Sequence, residues 1–474
     1  MKSDNTVVQV TSHNAQKNTF TILTLVFFFL TICCVFLANV IPIYIAAALS
    51  AIFLIITFIC AFKIKTSSQD GDLRVVKNPK PVDVEAIERY LADDEKVYTV
   101  DNNNASEIPE VYVYSFAASK EFVMNPFEAV ADTKLYEFPE EILDYTMFLK
   151  DSRDKELSKF AALRPDKSVM GLRSDLDLET LRTKAPFVLS SIYRSSTQLT
   201  DDSFNKVIYN RDKINKKVVF NGRSLCLDSN GALKKISETK TANEIDIHTI
   251  IISSDGYIMF RKGTKLHPLF ADQVVTSASC SLIPSGIDYS LPIQDSMISV
   301  LHQKISQIYN LSLNDVEISS SFCGFARIVT RCGAPEFYAI TRIDLTKDEI
   351  MAKHNDETAC FIEDWHTTSL VSELSDSIDA PDYISRAMKT IMETMSTRMS
   401  VSSAALFNSV YEAMSDDETS TKILQRIGII PREEGYNRHS IGTFGNAPSI
   451  EFDEETTTDG ANEAEDTAEE NTGD

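Results

Sequence analysis

The stretch HTIIISSDGYIMFRKG, residues 248–263, decides the fold. Its first half is a hydrophobic run, Ser254-Asp255-Gly256 is turn chemistry, and its second half alternates apolar with polar residues, which is the pattern of a β-hairpin. Downstream, VVTSASCSLIPSG at 274–286 predicts a strand running into a small-residue loop. IQDSMISVLHQKISQIYNL at 293–311 then places Met297, Val300, Leu301, Ile305, Ile308 and Leu311 at helical spacing. Residues 315–345, DVEISSSFCGFARIVTRCGAPEFYAITRIDL, predict two more strands around Arg331-Cys332-Gly333. The order is hairpin, strand, loop, helix, hairpin, an α+β class. Residues 363–414 predict two or three further helices, with Met388, Met392, Met395 and Met399 as core filler and Trp365-His366 as a packed anchor.

Upstream, residues 85–245 carry mixed signals: a short helical pattern at 84–94, a strand VYVYSF at 111–116, charged helix-like stretches at 140–159, and KVVFNG and RSLCLD as short strands. The region is α+β and has no Gly-rich loop of the phosphate-cradling kind. Residues 63–84 mix Ser, Gly, Asp and two prolines and predict a linker. Before it lie TFTILTLVFFFLTICCVFLA at 19–38 and IYIAAALSAIFLIITFICAF at 43–62, neither with a charge. At a rise of 1.5 Å per residue, about 20 residues cross the roughly 30 Å hydrocarbon layer. Only Asn39, Val40, Ile41 and Pro42 separate the runs, so they predict a transmembrane helical hairpin. Lys2 and Lys17 precede it and Lys63, Lys65, Arg74, Lys77 and Lys80 follow it, which places both termini in the cytosol by the positive-inside bias. The expected location is a two-span integral membrane protein in contact with the lipid bilayer.

Charge and cysteine usage narrow the function. The 474 residues carry 46 Lys+Arg against 69 Asp+Glu, a net charge of -23, which excludes nucleic-acid binding driven by bulk charge. Residues 451–474 hold 11 of the acids and no base, so about half the excess belongs to an acidic tail, 431–474, expected to be disordered. Cys33, Cys34 and Cys60 sit in the apolar runs; Cys226, Cys280, Cys323, Cys332 and Cys360 have no CxxC spacing. They read as buried small hydrophobes in a reducing compartment.

SSDGYIMFRKG at 253–263, SASCSL at 277–282 and GFARIVTRCGAPEFYAITRI at 324–343, in that element order, resemble the Nudix family. The resemblance spans about Ile245 to Met414, with the domain drawn at 246–430. It implies a Nudix-like mixed sheet with flanking helices. It also implies hydrolysis of nucleoside diphosphates linked to another group, with Mg²⁺ or Mn²⁺ held by glutamates on one helical face. The family pattern is G-x5-E-x7-REUxEExGU. With Leu311 at the terminal aliphatic position, Ile305 and Leu311 fit, but Lys304, Gln307 and Ile308 stand where the glutamates belong. Asn310 replaces the glycine, Asp295 falls on the isolated Glu, and Tyr289 on the leading Gly. No carboxylate occurs between Ser296 and Leu311, and the cation Lys304 lies near His302.

The expectation is a degenerate Nudix-like domain with no catalytic residue, no metal cluster and no cofactor. Asp295, Asp288 and Glu336, with Asp255, are the weak metal candidates, and each has a simpler reading: helix N-terminal acid, loop acid, and turn residues. Lys304 and Arg331 are solvated charges in the simpler reading and phosphate contacts in a binding-only pocket. The protein is thus expected to be membrane-anchored and to bind a nucleotide-like ligand or a protein partner, not nucleic acid. Two other readings stay open: an active metal-dependent hydrolase using atypical ligands with Mg²⁺ or Mn²⁺, and a bacterial effector inserted in a host vacuole membrane.

Overall fold

A computed structural model describes residues 8–9, 51–53, 55, 72–78, 80–101, 109–132, 134, 136–137, 168–211, 216–262, 273–353, 359–361 and 380–430. The acidic tail, the 140–159 stretch, Trp365-His366 and almost all of the two apolar runs lie outside the described residues. Among the described residues no helix is long and apolar enough to cross a membrane.

The chain is α+β. Its largest sheet runs in the order β12 (Val274–Val275), β11 (Ile258–Lys262), β10 (Asp246–Ser253), β15 (Ala334–Ile343), β14 (Ile318–Ile328), β4 (Glu110–Ser115) and β3 (Glu95–Val100). Two further strands, β13 (Ala278–Ser281) and β16 (Ala359–Phe361), pair with β10 and β11. β10 and β15 are parallel, while the other pairings in this sheet are antiparallel. Parallel neighbours need a long crossover, and everything from β11 to β14 supplies it. Ile247, Ile250, Ile251 and Ile252 of β10 are all buried, as expected of a strand covered on both faces. β3 and β4, from ahead of Ile245, complete this sheet.

Two smaller sheets flank it. One orders β1 (Val8–Gln9), β2 (Asp72–Lys77), β8 (Lys206–Arg211) and β9 (Lys216–Asn221), and the other orders β5 (Ala129–Ala131), β7 (Phe187–Tyr193) and β6 (Ser168–Leu172). Part of the stretch expected to be a linker is therefore strand β2, whose Val75 is buried in the core beside Ile208 and Phe220. RSLCLD departs from its expected strand: Gly222–Leu225 is a 3-10 turn, because Asn221 accepts the Arg223 N–H and Gly222 packs on the Ser203 backbone.

The helices are α1 (Val84–Glu88), α2 (Phe116–Met124), α3 (Leu178–Arg182), α4 (Arg194–Ser203), α5 (Ile293–Ile308), α6 (Lys347–Lys353), α7 (Ala380–Met395), α8 (Val401–Met414) and α9 (Asp417–Arg426). α5 buries Met297, Val300, Leu301 and Ile305 of the stripe that its spacing predicts, while Ile308 is half-buried and Leu311 is buried just past the helix end. It stops at Asn310, whose φ of 48° is left-handed, while the Leu311 N–H reaches the Ser306 carbonyl at 2.9 Å. Of the four methionines, Met388 and Met399 are buried as core filler while Met392 and Met395 are half-buried; Cys226, Cys280, Cys323 and Cys332 are buried free thiols.

Alternation along the strands gives the sheet two different faces. One face carries Phe337, Ala339 and Thr341 of β15 and meets α5, where His302 Nε2 lies 2.8 Å from Ser320 Oγ and Ser320 lies 2.7 Å from Thr341 Oγ1. Thr341 in turn lies 2.9 Å from Thr249, whose hydroxyl donates to the Ala339 carbonyl at 3.0 Å. Phe122 of α2 joins Phe127, Phe187, Phe322, Phe325 and Phe337 in an aromatic cluster. β4 stops pairing with β14 at Ala326, and beyond it Ser119 of α2 exchanges hydrogen bonds with the Phe325 backbone, covering the open edge. The opposite face carries Glu336, Tyr338 and Ile340, and its partner is α8.

Candidate functional site

The second face holds an ionic centre. In β10 the polar residues Asp246 and His248 alternate with Ile247, so both project to one side; in β15 Glu336 and Tyr338 do the same around Phe337. The parallel register sets Asp246 beside Glu336 and His248 beside Tyr338. One ligand atom from each of Asp246, His248 and Glu336 falls within 4.8 Å of the other two.

Arg331, in the 3-10 turn Val329–Arg331 between β14 and β15, ties this centre together. Cys332 at φ 56° and Gly333 at φ 75° reverse the chain there. The guanidinium donates to Glu336 Oε1 at 2.6 Å, to Asp246 Oδ2 at 2.9 Å and to Asp201 Oδ2 of α4 at 3.4 Å. Glu336 is wholly buried; its Oε1 also accepts the Ser402 hydroxyl of α8 at 3.0 Å, and its Oε2 accepts the Tyr338 hydroxyl at 3.0 Å. Asp246 Oδ1 accepts from Ser281 at 2.8 Å, and Ser281 accepts from Arg194 at 2.6 Å. Buried Glu244 lies 3.6 Å from Arg194.

The local field follows from these distances. Burial raises the Asp246 carboxyl, but Arg331, His248 and Ser281 outweigh it and hold the group below its ordinary value. For Glu244, burial and the neighbouring Asp246 charge outweigh Arg194, so it is raised. Glu110 is raised by burial and by Glu336, against a hydrogen bond from the Val401 N–H at the start of α8. Tyr338 is driven up by burial and by Glu336, so it stays a phenol and a donor. Arg331 resists the effect of burial because Asp246, Asp201 and Glu336 surround it; it is raised and remains charged. The carboxyls Glu110, Asp201, Glu244, Asp246 and Glu336 outnumber the guanidiniums Arg194 and Arg331.

Of the residues that the sequence singled out, Glu336 and Arg331 belong to this centre. Glu336 is a strand residue, not a turn residue, since β15 begins at Ala334. Arg331 is bound by three carboxylates instead of being a solvated turn charge. Asp288 is exposed and accepts the Ser290 hydroxyl at 2.6 Å and N–H at 2.9 Å, which lower its carboxyl. Asp255, a turn residue, accepts the N–H of Lys347 at the start of α6 at 3.0 Å. Asp295 stands in the first turn of α5, and Lys304 lies half-buried on the same helix. α5 packs on the other face of the sheet, so its side chains and Glu336 do not converge. Asp246, His248, Glu244, Asp201, Tyr338 and Ser402 were missed. For Asp246, His248 and Tyr338 the signal available was the D-x-H and E-x-Y alternation within two strands.

A separate cavity of about 450 Å³ opens at the far end of β14 and β15, lined by Glu317, Ser319, Arg342, Asp344, Gly428 and Ile430 among others. Its cation is engaged, since Arg342 donates to the Gly428 carbonyl at 2.6 Å. Comparison with protein-family models finds no match, and comparison with curated proteins finds none.

Proposed function

We propose that this chain is a membrane-anchored binding protein whose Nudix-like domain does not hydrolyse diphosphates. The observation that carries the reading is the face of α5. Where a Nudix enzyme concentrates metal-binding glutamates, this helix spends its sheet-facing side on Met297, Val300, Leu301 and Ile305 and on the polar contact of His302. Its acid Asp295 does not converge with the buried carboxyls. Without clustered oxygen ligands, Mg²⁺ has nothing on α5 with which to bridge a pyrophosphate.

The element order supports the Nudix-like assignment: hairpin β10–β11, strand β13, a small-residue loop, α5, and hairpin β14–β15. Anchoring is supported by the two uncharged runs with basic flanks, and by the pairing of β1 with β2. Those strands lie on either side of the runs, so the flanks sit together, as an even number of crossings requires. What remains for the domain is recognition of a nucleotide-like ligand or of a protein at the membrane.

The test is incubation of the detergent-solubilised chain with a panel of nucleoside diphosphate derivatives and Mg²⁺ or Mn²⁺. No phosphate or nucleotide release above the buffer rate is expected. Robust release that disappears in Asp295→Ala refutes the reading.

A further inference from the structure

We propose that Asp246, His248 and Glu336 form a binding site for one late first-row divalent cation of the Zn²⁺ type. The inference starts from a buried ring nitrogen without a hydrogen bond. His248 is only 8% exposed, and its Nε2 makes no hydrogen bond, although it lies 3.4 Å from Glu336 Oε2. On the other side of the ring, Nδ1 lies 3.3 Å from Thr276 Oγ1, and the Thr276 hydroxyl donates to the Ala278 carbonyl at 3.3 Å. Having given its proton to that carbonyl, Thr276 accepts from Nδ1–H. Nε2 is left facing a carboxylate oxygen in a buried setting. Either a proton on Nε2 or a metal ion between the two atoms satisfies this contact, and titration with a metal distinguishes them.

The spacing selects the cation. Ligands at roughly 2.0–2.2 Å from a tetrahedral metal stand about 3.4 Å apart along an edge of the tetrahedron. The separation of His248 Nε2 and Glu336 Oε2 is 3.4 Å, and Asp246 brings a third ligand atom within 4.8 Å of both. One imidazole and two carboxylates suit Zn²⁺ and its neighbours, whereas Mg²⁺ prefers oxygen alone in an octahedron. Three protein ligands leave the fourth position for water or a ligand group.

The surroundings match what a metal site requires beyond its ligands. Thr276 fixes the imidazole tautomer; Arg331 and Ser281 orient Asp246; Arg331, Ser402 and Tyr338 orient Glu336. The Asp246 side chain is 16% exposed and the Arg331 side chain 30%, which gives a small ion a path from solvent. The site differs from the α5 position of Nudix enzymes and does not depend on the proposed function.

The test uses the full chain in detergent, stripped with a chelator, dialysed and titrated with Co²⁺, then with Zn²⁺ in competition. One equivalent is expected to bind with the visible absorption of a tetrahedral cobalt complex, displaced by Zn²⁺ and not by Mg²⁺. His248→Gln and Glu336→Gln should each weaken binding at least about 100-fold, beyond the effect of losing an orienting partner. Either no tetrahedral cobalt spectrum from the folded chain, or a spectrum that survives both substitutions, overturns the proposal. If both variants lose their near-ultraviolet dichroism, X-ray absorption of the zinc-loaded wild-type chain decides. One imidazole nitrogen with oxygen ligands supports the site, and sulfur or several imidazoles overturn it.

Discussion

Acid should loosen the polar seam between α5 and the sheet through His302. The seam has one polarity. Thr249 donates to the Ala339 carbonyl, so it accepts from Thr341, which accepts from Ser320, which accepts an N–H from His302 Nε2. A neutral imidazole satisfies this chain and a second proton gains nothing. Burial accordingly lowers the His302 pKa from 6.5 to about 4. Between those values the unfolded chain binds more protons than the folded one, so stability rises with pH across the window. The contribution is complete above about pH 6.5 and is lost as the pH falls toward about 4. At about 1.4 kcal/mol per unit, the difference is worth about 3 kcal/mol by pH 4. His302→Gln keeps an N–H for Ser320 and cannot be protonated. Urea unfolding of both chains from about pH 8 to pH 4 isolates the effect, because carboxylates titrating in the same range cancel in the difference. The variant should cost about 1 kcal/mol or less at the alkaline end, then gain about 3 kcal/mol on the wild type by the acid end. A difference between the chains that stays constant within about 0.5 kcal/mol over the series would refute the reasoning.

Three further outcomes follow from packing and charge. Arg331→Met removes the partner of Asp246, Glu336 and Asp201, and the stranded buried charges should cost about 3–5 kcal/mol in urea unfolding at neutral pH; Arg331→Lys should recover only part, since it cannot make the forked contact. A Cβ added by Gly222→Ala would lie 1.5 Å from the Ser203 carbonyl oxygen, so backbone must move, and a loss of about 2–4 kcal/mol is expected from thermal unfolding. Phe122→Ala removes the ring at the centre of the aromatic cluster and should cost about 3–5 kcal/mol, with loss of the near-ultraviolet dichroism of the cluster.

What the sequence made legible was local. The β10–β11 hairpin announces itself through Ser254-Asp255-Gly256, α5 through its apolar stripe, and even the end of α5 through Asn310, a residue that tolerates the left-handed conformation. The ionic centre is not local. Asp246 and Glu336 meet because two strands far apart in the chain pair in parallel with one register, and neither strand's composition specifies that register. Glu336 was masked further by Pro335, whose ordinary meaning is a turn, although here the reversal is complete at Gly333 and Pro335 is already in β15. RSLCLD misled for a related reason: its short apolar run Leu225-Cys226-Leu227 reads as a strand, but Gly222 and the Asn221 cap draw its start into a 3-10 turn against α4.

The parallel pairing of β10 with β15 also imposes a timetable on the nascent chain. Ser253 ends β10, and its partner Ile343 emerges 90 residues later. At about 5–20 residues per second, the run of isoleucines in β10 waits about 5–18 s for the strand that covers one of its edges. The antiparallel neighbours β11 and β13 arrive sooner and shield the other edge only. Co-translational folding of this chain should therefore pass through a stage in which β10 is half-paired and sticky, and that stage ends only when β15 has left the ribosome.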